Sequence, residues 1–201
     1  MAKKEKRVGI EESDEVGEQY VFIAMDADTK LVFSWLVGKR SPVNTHTFMR
    51  DVYARTAWGW RPQLTTDGWG PYVPAVAQTF GLDVDFAQLI KIYGSLPAVR
   101  EGYTPSRFVE AVSKVVTGNP DSMFISTSYI ERQNLTLRMM SRRFTRLTNA
   151  FSKRLLHLKA AVALHFAFYN FCRVHASLRV TPAMEAGIAD RIWTLEEILC
   201  S

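Results

Sequence analysis

The sequence predicts an α/β fold with a basic helical C-terminal part, and three observations predict it. Short runs rich in β-branched and aromatic residues occur at Tyr20–Met25, Leu31–Val37 and Gln63–Thr66, each closed by turn chemistry. Between them lie segments with helical spacing, and from Ser128 the helical period takes over. The third observation is charge. Behind Glu131 runs a 53-residue tract, Arg132 to Met184, with ten Lys and Arg and no Asp or Glu. The net charge of the chain is +5, so the basicity is local and points at a polyanion.

Each element has a local reason. Asp26-Ala27-Asp28-Thr29-Lys30 joins the first two apolar runs into a hairpin. Ser41-Pro42 starts a helix that turns Val43, Phe48, Val52 and Tyr53 inward and stops near Trp58-Gly59. The strand Gln63–Thr66 ends at Asp67-Gly68, and Tyr72–Phe80 is helical up to a Gly81 stop. Asp83–Tyr93 reads as a strand, 94–105 as a loop, and Phe108–Val116 with Met123–Ser126 as short strands or a ribbon around Gly118-Asn119-Pro120-Asp121. From Ser128, Ile130, Leu137, Met140, Phe144 and Leu147 share one stripe, while Glu131, Asn134, Arg138 and Arg142 share another face. Further helices are expected at Ser152–Phe171 and Thr194–Leu199.

Composition narrows the class. An apolar content of 47% over 201 residues supports one domain with a real core, from residue 19 to 201, behind a charged and disordered segment 1–18. Cys172 and Cys200 are far apart and fit neither a disulfide framework nor a zinc site, which suits a reducing cytoplasm. The basic start Met1–Arg7 leads into Glu11, Glu12, Asp14 and Glu15, so no export signal is read. The longest apolar run, Ala160–Cys172, is short of the ~20 residues that span a bilayer. It reads as a core helix covered on most sides, and no membrane partner is expected.

Two acids stand out. Asp67 closes a strand just before a glycine, where ligand sites form in α/β folds, although an Asp there also serves as a cap for the next helix. Glu131 completes a capping box with Ser128, yet Asn134, Arg138 and Arg142 follow it on one face, company that a cap has no need of. Carboxylates from distant points of a chain can hold Mg²⁺ for phosphodiester cleavage, and the cluster Arg142, Arg143, Arg146, Lys153 and Arg154 suits the DNA backbone. His46, His157 and His165 read as structural. His175 with Arg173 reads as a partner for the last carbonyls and dipole of a helix or as a contact to a phosphate or the site, and Trp58 and Trp60 as packing at a helix end or as a stacking surface for an unpaired base.

Several segments together resemble the DDE transposases of the insertion-sequence-one type. They are Ala24-Met25-Asp26-Ala27-Asp28-Thr29-Lys30-Leu31-Val32 with Ser34-Trp35, then Leu64-Thr65-Thr66-Asp67-Gly68, then Leu89-Ile90-Lys91-Ile92-Tyr93-Gly94. The most specific stretch runs from Ile125 through Glu131-Arg132-Gln133-Asn134 to Lys153, and a more widespread signature is Tyr169-Asn170-Phe171 with Arg173, His175, Leu178 and Thr181-Pro182.

The resemblance implies a ribonuclease-H-like mixed sheet flanked by helices, and cleavage and transfer of DNA strands at insertion-sequence ends with Mg²⁺ or Mn²⁺. Asp67 and Glu131 would be the second and third acids of the triad and metal ligands. Asn134, Arg138, Arg142, Arg143, Arg146, Lys153 and Arg154 would bind the double-stranded DNA of transposon ends and target. The partner would be a second copy or a full-length transposase. The family's first acid sits on an opening strand ahead of the hairpin, in a motif that does not occur here. Asp26, at the end of an apolar run, is the candidate to replace it, whereas Asp14 has no strand to hold it. The alternative is a truncated, inactive remnant that binds DNA or full-length transposase and, lacking that strand, aggregates through its sheet edges.

Overall fold

Alternating apolar residues at Val21, Ile23 and Met25 turn one face of the first strand toward a core, which makes the hairpin the natural starting element. The structure is a computed structural model that describes residues 17–56, 59–95, 106–145, 150 and 152–200. It is mixed α/β and divides into two compact units, one formed by the chain up to Asn44 and from Tyr129 onward, the other by Thr45–Ser128. Residues 1–16, Trp58, Arg146, Leu147 and most of the expected loop 94–105 lie outside the described residues.

In the first unit β1 (Tyr20–Met25) and β2 (Val32–Gly38) pair antiparallel, Tyr20 opposite Gly38 and Met25 opposite Val32. The turn is closed by Asp26, whose N–H donates to Leu31 O at 2.9 Å and whose carbonyl accepts from Lys30 N at 3.0 Å. Helix α4 (Leu155–Ala167) lies against this hairpin and continues as a π-helical turn, Phe168–Cys172. Val162, Phe166 and Tyr169 meet Val32 and Val37 in the core, with Trp35 6.1 Å from Phe166 ring to ring.

The expectation that α4 is covered on most sides is corrected. Of Leu155–Cys172 only 28% is buried, and Leu156 (73%) and Leu164 (40%) stand exposed, because the hairpin covers one side of the helix. With the π turn the apolar stretch reaches 18 residues, long and apolar enough by length and composition to cross a membrane.

Helix α3 (Ser128–Met140) is shorter than its apolar stripe suggests. Ser141 adopts an extended backbone, φ −123° and ψ 111°, although its N–H still bonds Leu137 O, and the chain re-enters a single 3-10 turn at Arg142–Phe144. Phe144 still joins the core. Two short helices follow. In α5 (Pro182–Glu185) Thr181 caps Met184 N at 3.2 Å and Pro182 fills the first turn. Before α6 (Leu195–Cys200) Thr194 and Glu197 form a reciprocal capping box, Thr194 N to Glu197 at 2.7 Å and Glu197 N to Thr194 Oγ at 3.2 Å.

The second unit holds α1 (Pro42–Arg55) from Thr45 on, β3 (Gln63–Asp67), α2 (Tyr72–Phe80), β4 (Asp85–Ser95) and β5 (Ser106–Thr117). Thr45, Phe48, Met49 and Val52 are the buried residues of α1, three and four apart. Val43, expected inward, is 74% exposed because it falls about 140° around the helix from Phe48. Trp60, expected to pack, is also 74% exposed.

Strands β3 and β4 are parallel, Gln63 opposite Asp85 and Asp67 opposite Leu89, with α2 as the crossover. Strand β5 runs antiparallel to β4. The expected ribbon partner, Met123–Ser126, is not a strand. Asp121 accepts from Met123 N at 2.9 Å and starts a 3-10 turn at Ser122–Phe124 instead. Gly118 is required where β5 leaves the sheet, because at φ 71° an added Cβ would lie 2.0 Å from Asp85 Oδ1.

The strands make two sheets, β1-β2 and β3-β4-β5, where one mixed sheet was expected. Among the described residues β1 bonds only to β2 and β3 only to β4, so no strand joins them.

Candidate functional site

Asp67 ends β3 with its side chain exposed, and the structure settles which local role it has. Its Oδ1 accepts from Trp69 N at 3.0 Å, while α2 begins three residues later with Pro71 at the cap and no side-chain cap bond. Asp67 therefore orders its own turn and does not cap the helix. A buried amide fixes the backbone beneath it: Gln88 Nε2, on the neighbouring strand β4, donates to Asp67 O at 3.0 Å and to Trp69 O at 3.2 Å. Trp69 is held in turn by its indole N–H on Thr45 Oγ1 at 3.1 Å. Sequence reasoning missed Gln88. The only signal for it was a polar residue inside an apolar strand.

Glu131 lies in the first turn of α3, exposed, in the other unit from Asp67. Asn134 and Arg138 follow it one and two turns along the same helix, half-buried and exposed. Arg142 does not continue that face, because the helix stops at Met140. It falls with Arg143 in the 3-10 turn. Arg143 Nη1 donates to Ser152 Oγ at 2.9 Å, which ties this turn to the segment holding Lys153 and Arg154 just before α4. Arg138, Arg142, Arg143, Lys153 and Arg154 are all exposed. These five basic residues thus present their charge to solvent.

Asp26 sits in the hairpin turn, where Oδ2 accepts from Thr29 N at 2.8 Å and from Thr29 Oγ1 at 2.6 Å. Its carboxylate is a turn fastener. Among the described residues no group of three or more His, Cys, Asp or Glu is gathered closely enough to hold a metal ion. Asp67 and Glu131 offer hard carboxylate oxygens, which suit Mg²⁺ or Mn²⁺ better than a softer metal.

Two residues of the widespread signature have roles that spacing did not reveal. Asn170 is buried, and its side chain bonds both backbone groups of Val32. The His175 ring bonds Ser177 Oγ at 2.9 Å through Nδ1. His165 is buried with Nε2 unpaired, and its burial, helped by Arg173, pushes its pKa down to about 4. Burial also pushes the Tyr169 phenol up to about 12, so both groups are neutral at pH 7.

No family model, curated protein or solved structure matches the chain.

Proposed function

We propose that the chain is a transposase-type protein of the insertion-sequence-one kind, with a ribonuclease-H-like catalytic fold that cleaves and joins DNA strands in the cytoplasm. The observation that carries the reading is the exposed Asp67 carboxylate at the end of a parallel strand, its turn fixed from below by Gln88. The order hairpin, helix, strand, helix, parallel strand supports the reading.

Asp67 and Glu131 would hold Mg²⁺ or Mn²⁺, which when bound makes water or a 3′ hydroxyl a stronger nucleophile and stabilises the leaving oxygen. In hydrolysis the water oxygen bonds to phosphorus, the P–O3′ bond breaks, and a 3′ hydroxyl and a 5′ phosphate result. In strand transfer that 3′ hydroxyl attacks a target phosphodiester and the target's own 3′ oxygen leaves. Arg138, Arg142, Arg143, Lys153 and Arg154 hold backbone phosphates, and Asn134 positions the strand beside Glu131.

The test is Mn²⁺- or Mg²⁺-dependent nicking of supercoiled DNA. Asp67→Asn and Glu131→Gln should each lower it at least ~100-fold while salt-sensitive DNA binding survives. One observation favours a second reading. The Asp26 carboxylate is engaged by Thr29, which argues against its replacing the family's first acid. In that reading the chain binds DNA, or a full-length transposase, without cutting, and the same assay returns binding with no nicks.

A further inference from the structure

A group of basic side chains unused in the proposed reaction lies around His175 in the first unit. The hairpin turn carries Lys30, whose ammonium lies 3.7 Å from the centre of the Tyr129 ring at the start of α3. Arg132 stands one turn along the same helix face. On the other side Asn170 fastens the π turn to Val32, two residues from Lys30, and the chain leaving that turn carries Arg173 and His175.

Arg173 touches the thioether of Met140, a neutral partner. The His175 ring lies edge-on to Tyr169 at 6.4 Å, with Nδ1 bonded to Ser177 Oγ. Burial and the charges of Lys30, Arg173 and Arg132 hold its pKa below the ordinary value. No carboxylate pairs with Lys30, Arg132 or Arg173 among the described residues.

The backbone carries a second, independent mark. Lys30 and Arg179 are the non-glycine residues with positive φ among the described residues, 61° and 64°. Arg179 N donates to His175 O at 2.8 Å and His175 N to Val180 O at 2.9 Å, so the strained residue closes the turn that presents His175. A left-handed backbone is unfavourable for a residue that carries a side chain. Such strain concentrates at functional sites, and here it is accepted twice, at Lys30 and in the turn that presents His175.

We infer that Lys30, Arg132, Arg173 and His175 bind a phosphate oxyanion, the three cations by charge and His175 by a ring N–H. The phosphate supplies a counter-charge that no carboxylate among the described residues does. Its source is a DNA backbone phosphodiester, in which case the site extends the proposed function, or a free phosphate or small ester, in which case it stands without it.

The experiment follows the histidine ring resonances of the full chain by NMR during titration with inorganic phosphate, against sodium chloride at matched ionic strength. The expected result is a saturable shift of His175, with His46 and His157 as unmoved references. Lys30→Gly removes the ammonium yet suits the left-handed turn, so it keeps the fold. It should raise the half-saturating concentration about tenfold, as should Arg173→Ala, whereas Lys30→Arg should stay near the parent. Shifts equal to those in chloride, or a Lys30→Gly curve that overlays the parent, would overturn the inference. A short duplex then separates the sources. If it moves His175 and competes with phosphate, the occupant is the DNA backbone. If phosphate saturates the site while DNA leaves His175 unmoved or does not bind at all, the site takes a small phosphate and only the DNA-acting reading fails.

Discussion

Asn170 acts as a strand partner for Val32, its Nδ2 donating to the Val32 carbonyl at 2.8 Å and its Oδ1 accepting from the Val32 N–H at 3.1 Å. A primary amide side chain presents a donor and an acceptor much as a peptide group does, so one residue satisfies both backbone groups across 138 positions of sequence. Asn170→Ala strands both groups in a buried place and should cost about 2–4 kcal/mol. Asn170→Asp should destabilise as well, because a carboxylate then faces the Val32 carbonyl. Denaturant melts of the three proteins check this, and equal midpoints would refute it.

Gln88 plays the corresponding part under Asp67. Gln88→Leu keeps the volume but removes the donor that holds the Asp67 and Trp69 carbonyls. The change should cost about 1–3 kcal/mol. Trp69 reports on the turn, since loosening it exposes the indole and should shift its fluorescence to longer wavelength relative to the parent. Any DNA nicking should fall even at temperatures where Gln88→Leu is fully folded.

The exposed cations of the first unit should set the salt dependence of DNA binding. Replacing Arg142, Arg143, Lys153 or Arg154 singly by Gln should weaken binding to unrelated duplexes alike. Each replacement that leaves one phosphate without its cation should lower the slope of log K against log salt by about 1. A slope that does not change would show that these residues form only a solvated face.

His165 gives the fold a pH dependence with a definite sign. Its pKa falls from 6.5 to about 4 on folding, so between those values the unfolded chain holds the extra proton. Stability from this group is complete above about 6.5 and drains away as the pH falls toward about 4. One proton limits the slope to about 1.4 kcal/mol per pH unit, and solvent screening lowers it further. Melting the parent and His165→Gln across this range should show the steeper loss in the parent.

Features governed by neighbouring residues were legible in the sequence. The hairpin turn at Asp26–Lys30, the strand end at Asp67-Gly68 and the Gly81 stop of α2 all appear where local chemistry puts them. Partners chosen across the chain were not. Nothing near Phe108–Val116 says that its strand mate is β4, and nothing near Asn170 names Val32. The apolar period through Phe144 hid the break at Ser141, because Phe144 reaches the core from a 3-10 turn as well as a helix would allow. Of the candidate site, the acids and cations were visible as residue types, while the amide that fixes the Asp67 turn is a tertiary fact.

The most direct measurement is Mn²⁺-dependent nicking of supercoiled plasmid by the parent, Asp67→Asn and Glu131→Gln, with DNA binding followed in parallel. The parent should nick DNA in a way that chelation stops and that each substitution lowers at least ~100-fold while binding persists. Nicking that survives both substitutions, or a parent that binds DNA and leaves every plasmid intact with either metal, would contradict the assignment of Asp67 and Glu131 as the catalytic metal ligands.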